Sequence, residues 1–112
     1  YYWSTDGVAA QHEALRQHVR WAISHDLPLV LHSRDRGDRA CLRDLIAILR
    51  EEKAAHPRGH ALTGVFHCFG GPAEAVPDVL DLGFYVGLGG TTTFARAGVM
   101  EAVADVPLAR IV

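Results

Sequence analysis

The chain has no excess of positive charge: Lys and Arg total 11 against 13 Asp and Glu, giving a formal charge of −2 and an isoelectric point near 6.4. A general electrostatic grip on nucleic acid or on an anionic membrane is thereby excluded, because too few cations are present to displace counterions. Binding of phosphates through metal ions stays open, since that charge is not encoded in Lys or Arg. Cysteine is scarce as well. Cys41 and Cys68 form no Cys-x-x-Cys pair, so neither a disulfide framework nor a zinc knuckle is indicated. The apolar run at residues 27–31 is interrupted by Pro28 and, like every other run in the sequence, is far too short to cross a bilayer. Internal repeats, low-complexity tracts and a secretory signal are also missing. These absences lead to the expectation of a cytoplasmic protein with no membrane association and no obligate protein partner.

What is present is an ordinary globular balance, 49% hydrophobic and 21% charged, which argues against disorder. A length of 112 residues suits one domain and no more. The ends read as cuts. The sequence opens on Tyr1-Tyr2-Trp3 with no Met and stops in Ala109-Arg110-Ile111-Val112, the look of an interrupted strand. The expectation is a central fragment of a longer protein.

Periodicity supplies the elements. Leu15, Val19, Ala22 and Ile23 mark one face of a helix over residues 8–25, with Asp6 as its expected cap. Residues 27–31 form a short apolar strand with Pro28 at its entry. Leu42, Leu45, Ile46 and Leu49 predict a second helix over residues 38–55, capped by Asp38 and broken by the segment 56–60. A strand at 63–67 precedes a helix over 72–82, where Pro72 suits the first position, Val76, Val79 and Leu80 face inward, and Gly83 is the stop. Pro77 sits awkwardly inside that helix, past its first turn. A strand over 84–88, a helix over 98–105 carrying Met100 and Val103, and a fourth strand after Pro107 complete the order. Helices and strands alternate throughout, and the strands are apolar on both faces, as in a parallel sheet covered by helices. Four units in 112 residues average 28 each (112/4), close to the roughly 30 of a (β/α)8 barrel. The chain is therefore either about half of such a TIM barrel or a small doubly wound sheet.

The chemistry-bearing residues gather at strand ends. His32 directly follows Leu29-Val30-Leu31, and His67 directly follows Val65-Phe66. Parallel α/β proteins place their sites on that C-terminal rim, and adjacent strands lie about 4.8 Å apart, so two imidazoles there can converge on one metal ion or on two neighbours. One such histidine alone would as readily be a hydrogen-bonding rim residue; two at equivalent positions favour metal. They make half a site, because a catalytic zinc usually has three protein ligands or more. Arg34 on the same loop can clamp a phosphate or carboxylate, or else form a surface pair with Asp35. The other candidates are weaker. His12-Glu13 fails as a zincin motif because Arg16 stands four residues after His12, and His56 and His60 read as loop. Cys68 is expected to point away from His67, as strand neighbours do. Ser33 has no elbow glycines, and Gly87-Leu88-Gly89-Gly90 lacks a phosphate-loop lysine.

Four landmarks carry a resemblance. Pro28-Leu29-Val30-Leu31-His32-Ser33-Arg34-Asp35-Arg36-Gly37-Asp38 and Gly64-Val65-Phe66-His67-Cys68-Phe69-Gly70-Gly71 resemble two motifs of the TatD-like metal-dependent deoxyribonucleases. Tyr1-Tyr2 is similar to the tail of that family's Gly-Leu-Asp-Tyr-Tyr segment, and residues 106–112 are similar to the run into its Glu-Thr-Asp motif. Arg36 departs from the family's Thr or Ala. The resemblance implies a (β/α)8 barrel hydrolase with one or two divalent ions, Zn, Mg or Mn, that cleaves phosphodiester bonds of DNA. It implies that His32 and His67 are metal ligands, that the remaining ligands lie outside this chain, and that Arg34 contacts substrate phosphate. The alternatives are a related barrel hydrolase acting on a C–N bond or a lactone, and a structural fragment without activity of its own.

Overall fold

The computed structural model describes residues 1–34, 36–94 and 98–112. In chain order the elements are α1 (Val8–His25), β1 (Leu29–Leu31), α2 (Ala40–Ala55), β2 (Gly64–Phe66), α3 (Val76–Asp81), β3 (Phe84–Val86) and α4 (Val99–Ala102). Short 3₁₀ turns lie at Gly59–Ala61, Ala73–Ala75, Gly90–Thr93 and Leu108–Arg110. The chain divides into two compact units, one of residues 1–29 and 33–62, the other of residues 30–32 and 63–112. Among the described residues no helix is long and apolar enough to cross a membrane.

The second unit holds the sheet. Its three strands run parallel in the order β1-β2-β3, with Gly64, Val65 and Phe66 opposite Phe84, Tyr85 and Val86. Spatial order follows chain order without the reversal that defines a doubly wound sheet, which is the barrel arrangement. A bridge between Val86 and Ile111 continues that order. The fourth strand is otherwise not where the sequence placed it. After Pro107 the chain makes a 3₁₀ turn, and only then does Ile111 reach β3. Arg110 explains the delay: its Nη2 donates to the carbonyls of Leu80 (3.2 Å) and Phe84 (2.8 Å), satisfying the end of α3 and the start of β3.

The helix expected over 72–82 is also broken. A 3₁₀ turn at Ala73–Ala75 precedes α3, and this places Pro77 in the first turn of α3, where its missing N–H does no harm. The last helix is shorter than expected: α4 leaves Met100 exposed and Val103 buried just beyond its end. Phe84, Val79 and Val86 are wholly buried, and Phe66 meets Phe84 edge-to-face at 5.5 Å.

The first unit is a helical pair. α1 has the predicted bounds, and its buried stripe of Val19, Ala22 and Ile23 packs on Leu42, Leu45, Ile46, Ile48 and Leu49 of α2. Val19, Ile23 and Leu49 are fully buried, worth about 1.5–3 kcal/mol each. Both caps differ from expectation. Gly7, not Asp6, is the N-cap of α1: a turn in which the Val8 N–H donates to the Thr5 carbonyl at 3.2 Å and the Asp6 N–H to Ser4 Oγ at 3.0 Å leads into the helix. Arg39, in the left-handed region at φ 59°, precedes α2, while the Asp38 side chain accepts from the Ala40 N–H at 3.1 Å and its carbonyl from Arg43 Nη1 at 2.6 Å.

One charged group lies inside this pair. Glu52, 6% exposed, accepts from Arg20 through Nε at 2.7 Å and Nη2 at 2.8 Å, and from Arg16 Nη1 at 3.2 Å. The bonds from Arg20, and after burial's opposing effect those from Arg16, hold its carboxyl below the ordinary value of 4.5. The unfolded chain therefore takes up the proton first as pH falls, so this stabilisation is whole above pH 4.5 and is lost as pH drops through the folded value. Glu52→Gln should lower unfolding free energy by about 1–2 kcal/mol at neutral pH, a modest figure because both arginines reach solvent. In denaturant titrations the gap to the unsubstituted protein should close under acid. A gap that persists unchanged would assign the loss to packing.

Candidate metal centre

Strand parity builds this site. Leu31 and Phe66 are buried, so alternation puts Val30 and His32 on the opposite face of the sheet, together with Val65 and His67. Both histidines are exposed and stand one residue past the C-terminal ends of β1 and β2, as the sequence indicated. The backbone couples them. The His67 N–H donates to the Leu31 carbonyl at 2.8 Å, and the Gly87 N–H donates to the Phe66 carbonyl at 3.0 Å, carrying the ladders beyond the strands. The two imidazole rings come to 5.9 Å between centres, tilted by 48°. A zinc-bound imidazole nitrogen lies about 2 Å from its ion, so this spacing suits two rings that share a metal. They amount to two donors: among the described residues no group of three His, Cys, Asp or Glu side chains is placed to hold an ion.

Two glycines and a cysteine shape the space beside His67. A Cβ on Gly87 would lie 2.9 Å from Val65 Cγ2, 3.0 Å from the Phe66 carbonyl oxygen and 3.2 Å from His67 Cα. Only glycine lets β3 run this close to the end of β2. Cys68 does not point away from His67, contrary to the strand-alternation expectation. It adopts the left-handed region at φ 49°, which ends the alternation and brings Sγ to 3.5 Å from His67 Nε2. The same thiol lies against Gly89, where a Cβ would stand 2.5 Å from Sγ.

Arg34 belongs to the first unit. Its guanidinium stacks over the Tyr2 ring at 4.1 Å from the centroid. Asp35, its expected partner, lies outside the described residues. Neither Tyr2 as a platform nor Gly87 as a spacer was identified from the sequence; the only signals were the Tyr1-Tyr2 landmark and the glycines at the third strand end. Of the remaining candidates, His12 and His56 have structural partners. His12 Nε2 lies 2.5 Å from the Tyr1 phenol oxygen and 3.2 Å from Asp44 Oδ2, and the phenol donates to Asp44 at 2.6 Å. Burial, and then the bond to Asp44, push the Tyr1 phenol pKa upward. His56 Nδ1 accepts from the Arg58 N–H at 3.1 Å, and His60 sits in the turn at Gly59–Ala61.

Comparison with known proteins gives a consistent picture. A family profile described as TatD related DNase matches residues 1–112. The uncharacterized metal-dependent hydrolase YabD of Bacillus subtilis is 32% identical over 112 residues, covering 99% of this chain and 40% of its own length. The uncharacterized metal-dependent hydrolase YcfH of Escherichia coli K12 is 35% identical over 112 residues, with 99% and 38% covered. The crystal structure of YjjV, a TatD homolog from Escherichia coli K12, superposes with a TM-score of 0.80 at 26% identity, covering 99% of this chain and 40% of that one. The chain thus spans about 40% of the length of such relatives.

The close approach at Gly87 makes a direct test of the site's architecture. Gly87→Ala should destabilise the fold by about 1–3 kcal/mol, the usual effect of overpacking, because Val65 and the backbone at residues 66–67 must shift. The His67 ring resonances should move in NMR spectra while those of His12, in the other unit, stay in place. Unchanged stability with an unshifted His67 would show that the strands have room to spare.

Proposed function

The chain belongs to the family of TatD-related DNases, its helices and parallel strands forming part of that family's barrel, and on this premise we propose that the protein containing it is a metal-dependent hydrolase of DNA phosphodiester bonds. The observation that carries the reading is the pair of imidazoles on neighbouring strand ends, 5.9 Å apart and tied through the His67–Leu31 backbone bond. His32 and His67 would hold one or two divalent ions, with the other ligands supplied from outside this chain. Such an ion supplies positive charge and Lewis acidity toward a phosphodiester, which is how a protein with net charge −2 can work on DNA.

This chain's own residues divide the remaining work. The carbonyl of Leu31 fixes His67 through its backbone, and Gly87 keeps the space beside His67 free of a side chain. Arg34, two residues after His32 in the sequence, binds a phosphate oxygen; its planar fork suits that geometry better than a lysine would. The relatives' names support a metal-dependent hydrolase without specifying the bond.

Elemental analysis tests the ligand assignment in the protein that contains this chain. A His32→Ala, His67→Ala double variant should lose about one or more divalent ions per chain and its hydrolysis of a phosphodiester substrate. Equal metal content in both proteins would reduce the pair to rim histidines. Retained metal with hydrolysis of a lactone or a C–N bond but no phosphodiester would reassign the reaction.

A further inference from the structure

We infer that Trp3, Tyr2 and Arg34 form a subsite for one nucleotide of the substrate strand, with Trp3 stacking on the base and Arg34 binding the phosphate. The inference rests on the DNA reading above and adds residues to it. Trp3 is 85% exposed, whereas the neighbouring helical pair buries Val19, Ile23 and Leu49 completely. An indole left in water is a large apolar surface unspent on folding.

It is nevertheless held in place. The Tyr2 and Trp3 rings meet edge-to-face at 4.9 Å and 86°, a contact that occupies at most one face of the indole. The Arg34 guanidinium covers the Tyr2 ring at 4.1 Å. The backbone beneath is fixed by Arg36, whose Nε donates to the Tyr2 carbonyl at 2.8 Å and whose Nη2 reaches the Trp3 carbonyl at 3.5 Å. Upstream, the Tyr1 phenol is anchored to Asp44 at 2.6 Å. The result is an aromatic face, an adjacent planar cation and an ordered backbone, presented together.

A nucleotide matches that combination. Every base offers a π-face for sequence-tolerant stacking on an aromatic ring, and its phosphate suits a guanidinium. Charge points the same way: residues 34–43 carry the exposed Arg34, Arg36, Arg39 and Arg43 against Asp35 and Asp38, a net positive stretch in an otherwise acidic chain. Arg36, the residue that departs from the resembled family pattern, is here the clamp that orders the aromatic pair.

Binding of labelled phosphorothioate oligothymidylate and of a phosphorothioate abasic strand of equal length, which resist cleavage, measured by anisotropy with the metal-loaded protein, separates the two contacts. Trp3→Ala in the protein containing this chain should weaken oligothymidylate by about 5- to 150-fold and the abasic strand by less than about twofold. Trp3→Phe should recover most of the loss, and Arg34→Ala should weaken both strands by a similar factor. Equal effects of Trp3→Ala on both strands, no effect on either, or failure of the unsubstituted protein to prefer the strand with bases would each overturn the subsite. Hydrolysis of a nitrophenyl phosphodiester by the unsubstituted protein, run in parallel, reports on the reaction alone. A failure there counts against the phosphodiesterase reading and leaves the base-dependent binding result standing.

Discussion

The candidate site hangs on one main-chain hydrogen bond, from the His67 N–H to the Leu31 carbonyl at 2.8 Å. It joins the last residue of β1 to the first residue past β2, and thereby sets which residues of the two strands are neighbours. A slip of one residue would turn every side chain of β2 to the other face, exposing Phe66 and burying His67. The buried partners oppose that slip: Phe66 is 2% exposed and packs edge-to-face on Phe84. The buried side of the sheet thus holds the register that brings two imidazoles together on its other side. Gly87 is the third member, because β3 follows the same register and would collide with Val65 if it carried a side chain there.

In the first unit, polar contacts do comparable work on segments without regular structure. Arg36 binds the carbonyls of Tyr2 and Trp3, Tyr1 reaches Asp44 and His12, and Arg34 covers Tyr2. Loops placed in this way are ordered by side-chain donors meeting backbone acceptors that no helix or strand would otherwise satisfy. The helices beneath supply rigidity through a fully buried seam and through Glu52, whose bidentate partner Arg20 keeps it ionised. The arginine at position 36 is integral to this arrangement, since two nitrogens of its rigid fork reach two successive carbonyls at once.

Much of this was legible from residues alone. Of Leu15, Val19, Ala22 and Ile23, expected on one face of α1, the last three are buried and Leu15 is half-buried, while Leu42, Leu45, Ile46 and Leu49 all lie on the buried face of α2. Caps were less legible, because Asp6 and Asp38 are good cap residues whose use depends on how the chain enters the helix. Pro77 was a correct warning: the helix does restart at Val76 so that the proline falls in a first turn. The fourth strand was misplaced because Leu108-Ala109-Arg110 has apolar strand-like character, while Arg110 is drawn instead to the carbonyls of Leu80 and Phe84. That preference lies in distant residues and leaves no local trace.

By itself, then, the sequence determined the order of elements, the buried faces of α1 and α2 and the position of His32 and His67 at strand ends. All of these follow from short-range periodicity and from chain connectivity. Only the tertiary structure decided that the two rings stand 5.9 Å apart, that Cys68 turns back toward His67, and that Tyr2 lies under Arg34. Ring spacing depends on strand register, the turn at Cys68 on a left-handed backbone angle that cysteine seldom adopts, and the Tyr2–Arg34 stack on two segments far apart in sequence. Each is set by the balance of packing and hydrogen bonding among residues that no local pattern connects.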